Sequence, residues 1–187
     1  MIAPPSDAAP LRSTSWRQRL VQDLEGHVLE IGVGTGENLT HYRRAGHGSA
    51  IEPDPERADE ARAAARSAHV PVTIDVAPAE QMPYADALVD HVVSRLVFCS
   101  VSDQRAALAE IRRVLKPGGA LHMVEHVHPD STLLGWFFSA ATPFWRQIAH
   151  NCHLNRPTLD VLAEEGWQVQ VHKRRWMFVH LTARPIQ

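Results

Sequence analysis

The chain has 187 residues, 44% of them apolar and 21% charged, with a net charge of −2. That length supports one domain with a single core, and that charge argues against nucleic acid or an anionic membrane as the main partner. Two cysteines, Cys99 and Cys152, stand far apart outside any CxxC pattern, so a disulfide framework is not expected and a reducing cytoplasm fits. No run reaches the roughly 18 apolar residues of a membrane span, and the N-terminus lacks the basic-then-apolar pattern of a signal peptide. A cytoplasmic location is the expectation.

Residues 1–14 begin MIAPPSDAAPL and offer little to bury, which predicts a flexible arm ahead of a single domain over 15–187. Ser15 to Leu24 spaces Trp16, Leu20, Val21 and Leu24 along one side of a short helix, placed over the site or on the sheet edge. The stretch 27–36 reads HVLEIGVGTG. Its apolar run, Val28, Leu29 and Ile31, stops at Gly32, Gly34 and Gly36, the pattern of a buried parallel strand entering a tight turn. Glycines there admit positive φ and let the backbone approach a ligand, although Gly36 could equally serve helix–strand packing. Glu30 lies inside the apolar run, where a carboxylate needs a cation or a donor.

Glu37 to Arg43 is expected to form a helix whose N-terminus faces the turn. A short strand, Ser49 to Ile51, ends in Glu52, and Asp54-Pro55 supplies an N-cap and first-turn proline. Ala58, Ala61, Ala65 and Ala68 mark a helix to about His69. Val72–Val76 and Val89–Ser94 read as strands. Ser102 or Asp103 caps a helix with Leu108, Ile111 and Leu115 on its apolar face, and Lys116-Pro117-Gly118-Gly119 terminates it. Ala120 to Val127 follows as a strand, Thr158 to Glu165 as a helix stopped by Gly166, and Gln168–Lys173 with Met177–Ala183 as a closing hairpin. Lys173, Arg174 and Arg175 then read as a solvated turn.

Strands alternating with helices at this spacing define an α/β domain with a mostly parallel sheet, and ligands of such sheets bind at strand carboxyl ends near the switch point. Glu30, Glu52, Ser94, Glu125 and His126 all fall at predicted strand carboxyl ends. The dinucleotide fingerprint needs its third glycine three residues after the second, whereas Gly36 comes two residues after Gly34. An acid beside the turn would also repel a pyrophosphate.

LEIGVGTG, then IEPDP, then LKPGG resemble the class I S-adenosylmethionine-dependent methyltransferases across residues 15–187. SRLVFCSV, LKPGGALHMVEHV and NCHLNRPT are similar to the subgroup holding the animal methyltransferase-like thiol methyltransferases. The resemblance implies a Rossmann-like, doubly wound, seven-stranded sheet of order 3-2-1-4-5-7-6 with one antiparallel strand in the C-terminal hairpin. It implies S-adenosyl-L-methionine as cofactor and S-adenosyl-L-homocysteine as product. In this likeness Glu30, Gly32 and Gly34 hold the methionine part, Glu52 accepts from both ribose hydroxyls, and Pro53 packs near the adenine. Ser94 and Arg95 lie beside the methionine tail. The family's adenine-binding Asp after the third strand is replaced by Pro78, which leaves that contact to the backbone of Ala79 or Glu80 and to Gln81 and Met82. Glu80 could instead be a solvated loop acid, and Met82 a core residue.

Methyl transfer from a sulfonium needs chiefly proximity and alignment, and a base only where the acceptor must lose a proton. His126 is the best-placed candidate base; the alternative is a histidine satisfied at a strand end. The acceptor cap is expected at about 129–153, with Trp136, Phe137, Phe144 and Trp145 as an apolar wall or as core, and with His150 or His153 beside the acceptor. His150, Cys152 and His153 lack a fourth ligand at zinc spacing, so no metal is expected. The reading is methyl transfer to a small, largely apolar molecule, with a thiol sulfur favoured by the subgroup. An O- or N-methyltransferase of a specialised metabolite or lipid amine stands as the alternative, and a non-catalytic cofactor-binding module as the next.

Overall fold

The computed structural model describes residues 14–126, 153, 156–175 and 178–186. Seven strands form one sheet: β1 (Gly26–Ile31), β2 (Ala45–Ile51), β3 (Val72–Asp75), β4 (Val89–Arg95), β5 (Leu115–His126), β6 (Trp167–Arg175) and β7 (Phe178–Pro185). Their order is β3-β2-β1-β4-β5-β7-β6. β1 to β5 run parallel, and β7 lies antiparallel to both β5 and β6. The chain winds outward from β1 to β3 and then returns to β4 on the other side of β1. The carboxyl ends of β1 and β4 therefore flank the switch point, where such sheets open a crevice.

Helices cover both faces. α1 (Thr14–Val21) and α2 (Pro55–Ala65) lie on one, where Trp16, Leu20, Ala58 and Ala61 join Val28, Ala50, Val93 and Val124. α3 (Gln104–Val114) and α4 (Thr158–Glu164) lie on the other, where Leu108, Ile111 and Leu162 meet Leu29, Val92, Leu121 and Leu181. Alternation along each strand sends successive side chains to these two cores. The caps are as the sequence predicts. The Asp54 carboxylate accepts from the N–H groups of Glu56 and Arg57 with Pro55 in the first turn, and Asp103 does the same for Arg105 and Ala106.

Several boundaries differ from expectation, each for a physical reason. Residues 37–43 form no α-helix; only a 3-10 turn, Leu39–His41, is present. Asn38 and Tyr42 turn their side chains inward on Glu30, and Tyr42 is already extended at φ −66°, ψ 120°. With no helix of useful length, the expected N-terminal dipole site is absent. Leu115 leaves α3 and opens β5, because Lys116 precedes Pro117 and such a residue avoids the helical region. The basic run Lys173–Arg175 lies within β6, where Lys173 Nζ sits 4.5 Å from the centre of the Trp16 ring. Three histidines line up across the sheet. His122 Nε2 lies 3.1 Å from His91 Nδ1, and Thr182 joins His122 to His172, its hydroxyl 3.4 Å from His122 Nδ1 and 2.8 Å from His172 Nε2.

Candidate active site

At the end of β1 the chain makes a turn that only glycine tolerates. Gly32 has φ +59°, and a Cβ there would lie 2.5 Å from a Val97 methyl. Two residues before it, Glu30 is 3% exposed. Asn38 Nδ2 donates to its Oε1 at 2.7 Å and the Tyr42 hydroxyl to its Oε2 at 2.8 Å. Both donors are neutral. Burial pushes the Glu30 carboxyl up to about 7, while the two hydrogen bonds and the charges of Arg95 and Arg17 pull the other way. A buried acid poised there is prepared for a cation that restores its charged form.

Glu52, at the end of β2, is held differently. It is 4% exposed and accepts from the Gly34 N–H at 2.9 Å and the Asp54 N–H at 3.3 Å, with Arg57 Nη1 4.0 Å away. The bond from Gly34 ties the glycine turn to the second strand. Gly36 supports the turn from behind, since a Cβ there would lie 2.8 Å from that of Ala64 on α2.

The segment after β3 lines the same space with Ala77, Pro78 and Ala79. Glu80 is partly exposed at the cavity wall, and its Oε1 accepts from the Ser102 N–H at 2.7 Å and the Asp103 N–H at 3.1 Å, fastening this loop to the start of α3. Met82 is buried in the core, and its N–H donates to Glu110 Oε2 at 2.7 Å.

At the ends of β4 and β5, Ser94 and Glu125 are both buried, and the Ser94 hydroxyl donates to Glu125 Oε1 at 2.7 Å. Residues 96–101 then loop over Glu125, with Leu96 at φ +58°. His153 lies behind this loop; its N–H and its ring Nδ1 reach the Cys99 carbonyl at 2.8 and 3.1 Å, which makes Nδ1 the protonated nitrogen. Gln104 Nε2 and Arg156 Nη1 hold the Phe98 carbonyl at 3.0 and 3.2 Å. His126 closes β5, its ring 4.5 Å from that of Phe178.

These strand ends enclose one cavity of about 710 Å³, within the usual range for small-ligand pockets. Of the residues singled out in the sequence, Glu30, Gly32, Gly34, Glu52, Pro53, Ala79, Glu80, Arg95 and His126 line it. Gly36, Gln81, Ser94 and His153 do not: Gly36 and Ser94 support the wall, Gln81 is exposed, and His153 braces the loop. Trp136, Phe137, Phe144, Trp145 and His150 lie outside the described residues. Sequence reasoning missed Arg17, which lines the cavity from α1 and pairs with Glu37, and the Asn38–Tyr42 cradle. The signal for the cradle was weak, two polar side chains in a segment that reads as helix. The Cys99 thiol is buried at the wall, its Sγ 3.5 Å from the Leu96 carbonyl oxygen.

The residues fit S-adenosylmethionine on their own chemistry. A buried carboxylate with neutral donors suits an ammonium, a second acid at the next strand end suits hydroxyls, and the glycine turn leaves room for the chain between them. This fold, with its cavity at the switch point, defines the class I S-adenosylmethionine-dependent methyltransferases. The chain belongs to this superfamily: residues 29–123 match the family model described as a methyltransferase domain. It is 35% identical to the mouse thiol S-methyltransferase TMT1B over 183 residues, covering 89% of this chain and 75% of that protein. It is 35% identical to the rat TMT1B over 147 residues, 74% of this chain and 60% of the relative, so it spans less than two thirds of that protein's length. Among solved structures, an S-adenosylmethionine-dependent methyltransferase from Mesorhizobium loti superposes with a TM-score of 0.67 over 91% of this chain and 96% of that one, at 16% identity, a likeness of fold. Among the described residues no helix is long and apolar enough to cross a membrane.

Proposed function

We propose that this chain transfers the methyl group of S-adenosyl-L-methionine to the sulfur of a small, largely apolar thiol, releasing S-adenosyl-L-homocysteine. The observation that carries the reading is the pair of buried acids, Glu30 and Glu52, facing one cavity with His126 on its wall. The bound cofactor supplies an activated methyl on a sulfonium with a neutral leaving group. Glu30 holds the ammonium end, kept aimed by Asn38 and Tyr42. Glu52 accepts from the ribose hydroxyls while its bond from Gly34 fixes the turn beneath them. Pro53, Ala77, Pro78 and Ala79 offer the adenine small apolar surfaces and backbone groups. His126 takes the acceptor proton. A thiol, with a reference pKa of about 8.5, needs only modest help from such a base. The 35% identity to thiol S-methyltransferases favours sulfur over oxygen or nitrogen.

The test is incubation with methyl-labelled cofactor and an alkyl thiol, its alcohol analogue, a phenol and an amine. Labelled thioether as the main product supports the proposal. Label on the alcohol, phenol or amine in preference to the thiol sinks the choice of sulfur, and label on none of them favours a binding module.

A further inference from the structure

Glu125 is the most deeply buried acid near the cavity, yet it does not line it. Its Oε1 accepts from the Ser94 hydroxyl at 2.7 Å and from the Val97 N–H at 2.8 Å. Between those donors Leu96 adopts φ +58° and donates its N–H to the Val124 carbonyl at 2.8 Å. A leucine takes that left-handed conformation only where its surroundings enforce it. The Val97 side chain, just beyond, fills the space a Cβ would need at Gly32, so the two turns of the cavity rest on each other. Leu96, Val97 and Cys99 form part of the wall. One oxygen under the loop thus fixes β4, the loop and, through Val97, the glycine turn.

We propose that Glu125 is a positioning residue for methyl transfer, whose Oε1 holds the 96–98 turn so that Val97 seats on Gly32 and shapes the floor of the cofactor cavity. It acts as a hydrogen-bond acceptor and not as a charge. Its Oε1 takes the bonds from Ser94 and Val97, and burial pushes the carboxyl above the ordinary carboxylate range while the bonds from Ser94, Val97 and Phe98 and the charge of His126 pull the other way. Its neighbour His126 points to the opposite face of β5, as alternation requires. Glu125 therefore reaches the chemistry only through the loop. This inference rests on the cavity being the cofactor site.

The test compares Glu125→Gln, Glu125→Asp and Glu125→Leu in S-adenosylmethionine affinity, kcat and its pH profile, with thermal unfolding to confirm the fold. Gln keeps an acceptor where Oε1 stands, so affinity and kcat stay within about threefold of wild type and the pH profile does not move. Asp keeps the acid but withdraws it by one methylene, and Leu removes it. Loss of an acceptor for a buried N–H predicts a cofactor Kd about 20-fold weaker in Leu and intermediate in Asp. If Leu does not fold, the ranking of Gln above Asp carries the test. A Gln variant as impaired as Asp or Leu, a shifted pH profile in Gln, or a folded Leu variant with wild-type affinity overturns the proposal. Glu52→Ala separates the two readings: undiminished affinity there would move the cofactor out of this cavity, whereas weakened binding there with indifferent Glu125 variants would overturn the role of Glu125 alone.

Discussion

At the carboxyl ends of β1 and β2, two acids face the cavity; at the ends of β4 and β5, the acid is tucked beneath a loop and a histidine takes the wall. In the proposed reading the first rim receives a partner that brings positive charge and hydroxyls. Its acids are desolvated and held by neutral donors, with part of their capacity left for a ligand. The second rim spends its acid internally and presents backbone, Val97, Cys99 and His126. The difference teaches that one cavity can divide into a half that grips a fixed molecule and a half that shapes space for a variable one. The same residue type, a glutamate at a strand end, serves opposite purposes according to what lies above it.

The largest effect that would break this comparison is expected at Glu52. Replacing it by Ala removes acceptors for two hydroxyls and for the Gly34 N–H, and should weaken S-adenosylmethionine binding about 100-fold, roughly 3 kcal/mol, by calorimetry. Glu30→Gln should show the cost of keeping an acid in that rim. The folded protein holds the Glu30 proton up to about pH 7, while the unfolded chain releases it near the ordinary value of 4.5. Stability from this group is therefore full at low pH and declines as pH rises through 7, by about 3 kcal/mol if the whole shift counts. Thermal unfolding at pH 8 should place Glu30→Gln above wild type by about 2 kcal/mol, with the gap closing near pH 4.5.

On the other rim, His126→Ala should lower kcat about 30-fold while cofactor affinity changes less than about threefold, since base catalysis is typically worth 10² or somewhat more and a thiol needs less of it. A fall in affinity as large as that in kcat would place His126 on the cofactor instead. Tyr42→Phe should be the mildest. It deletes one hydrogen bond to Glu30, costs about 1 kcal/mol, and raises the pH at which Glu30 ionises, read as a small upward move in the midpoint of pH-dependent binding.

The fold was legible because its signals are local and repeated. Apolar runs ending at glycine or acid, the Asp54-Pro55 cap, and Gly166 closing α4 each act within a few residues. The acidic rim of the cavity was legible for the same reason, since Glu30 and the glycines share one stretch and Glu52 stands just past the end of the next strand. What misled were segments decided by distant partners. Residues 37–43 have a helical look, yet Asn38 and Tyr42 gain more from Glu30 than from a short helix. Glu80 lines the cavity as expected, but its fastening of Ser102 and Asp103 was not legible, because it depends on residues 22 and 23 positions away. Ser94 and His153 carried the right neighbourhood and another role, because the loop they support is closed by contacts 31 and 54 residues apart.

The central claim is that Glu30 receives the ammonium end of the cofactor. It is tested most directly by calorimetric titration of S-adenosyl-L-homocysteine, which carries the same amino-acid end, at pH 6 and pH 7.2 in wild type and Glu30→Gln. Binding that requires Glu30 ionised from a resting value of about 7 should be about sevenfold tighter at the higher pH in wild type. In Glu30→Gln it should be weaker and flat over the same interval. Equal affinity and equal pH dependence in the two proteins would contradict the assignment.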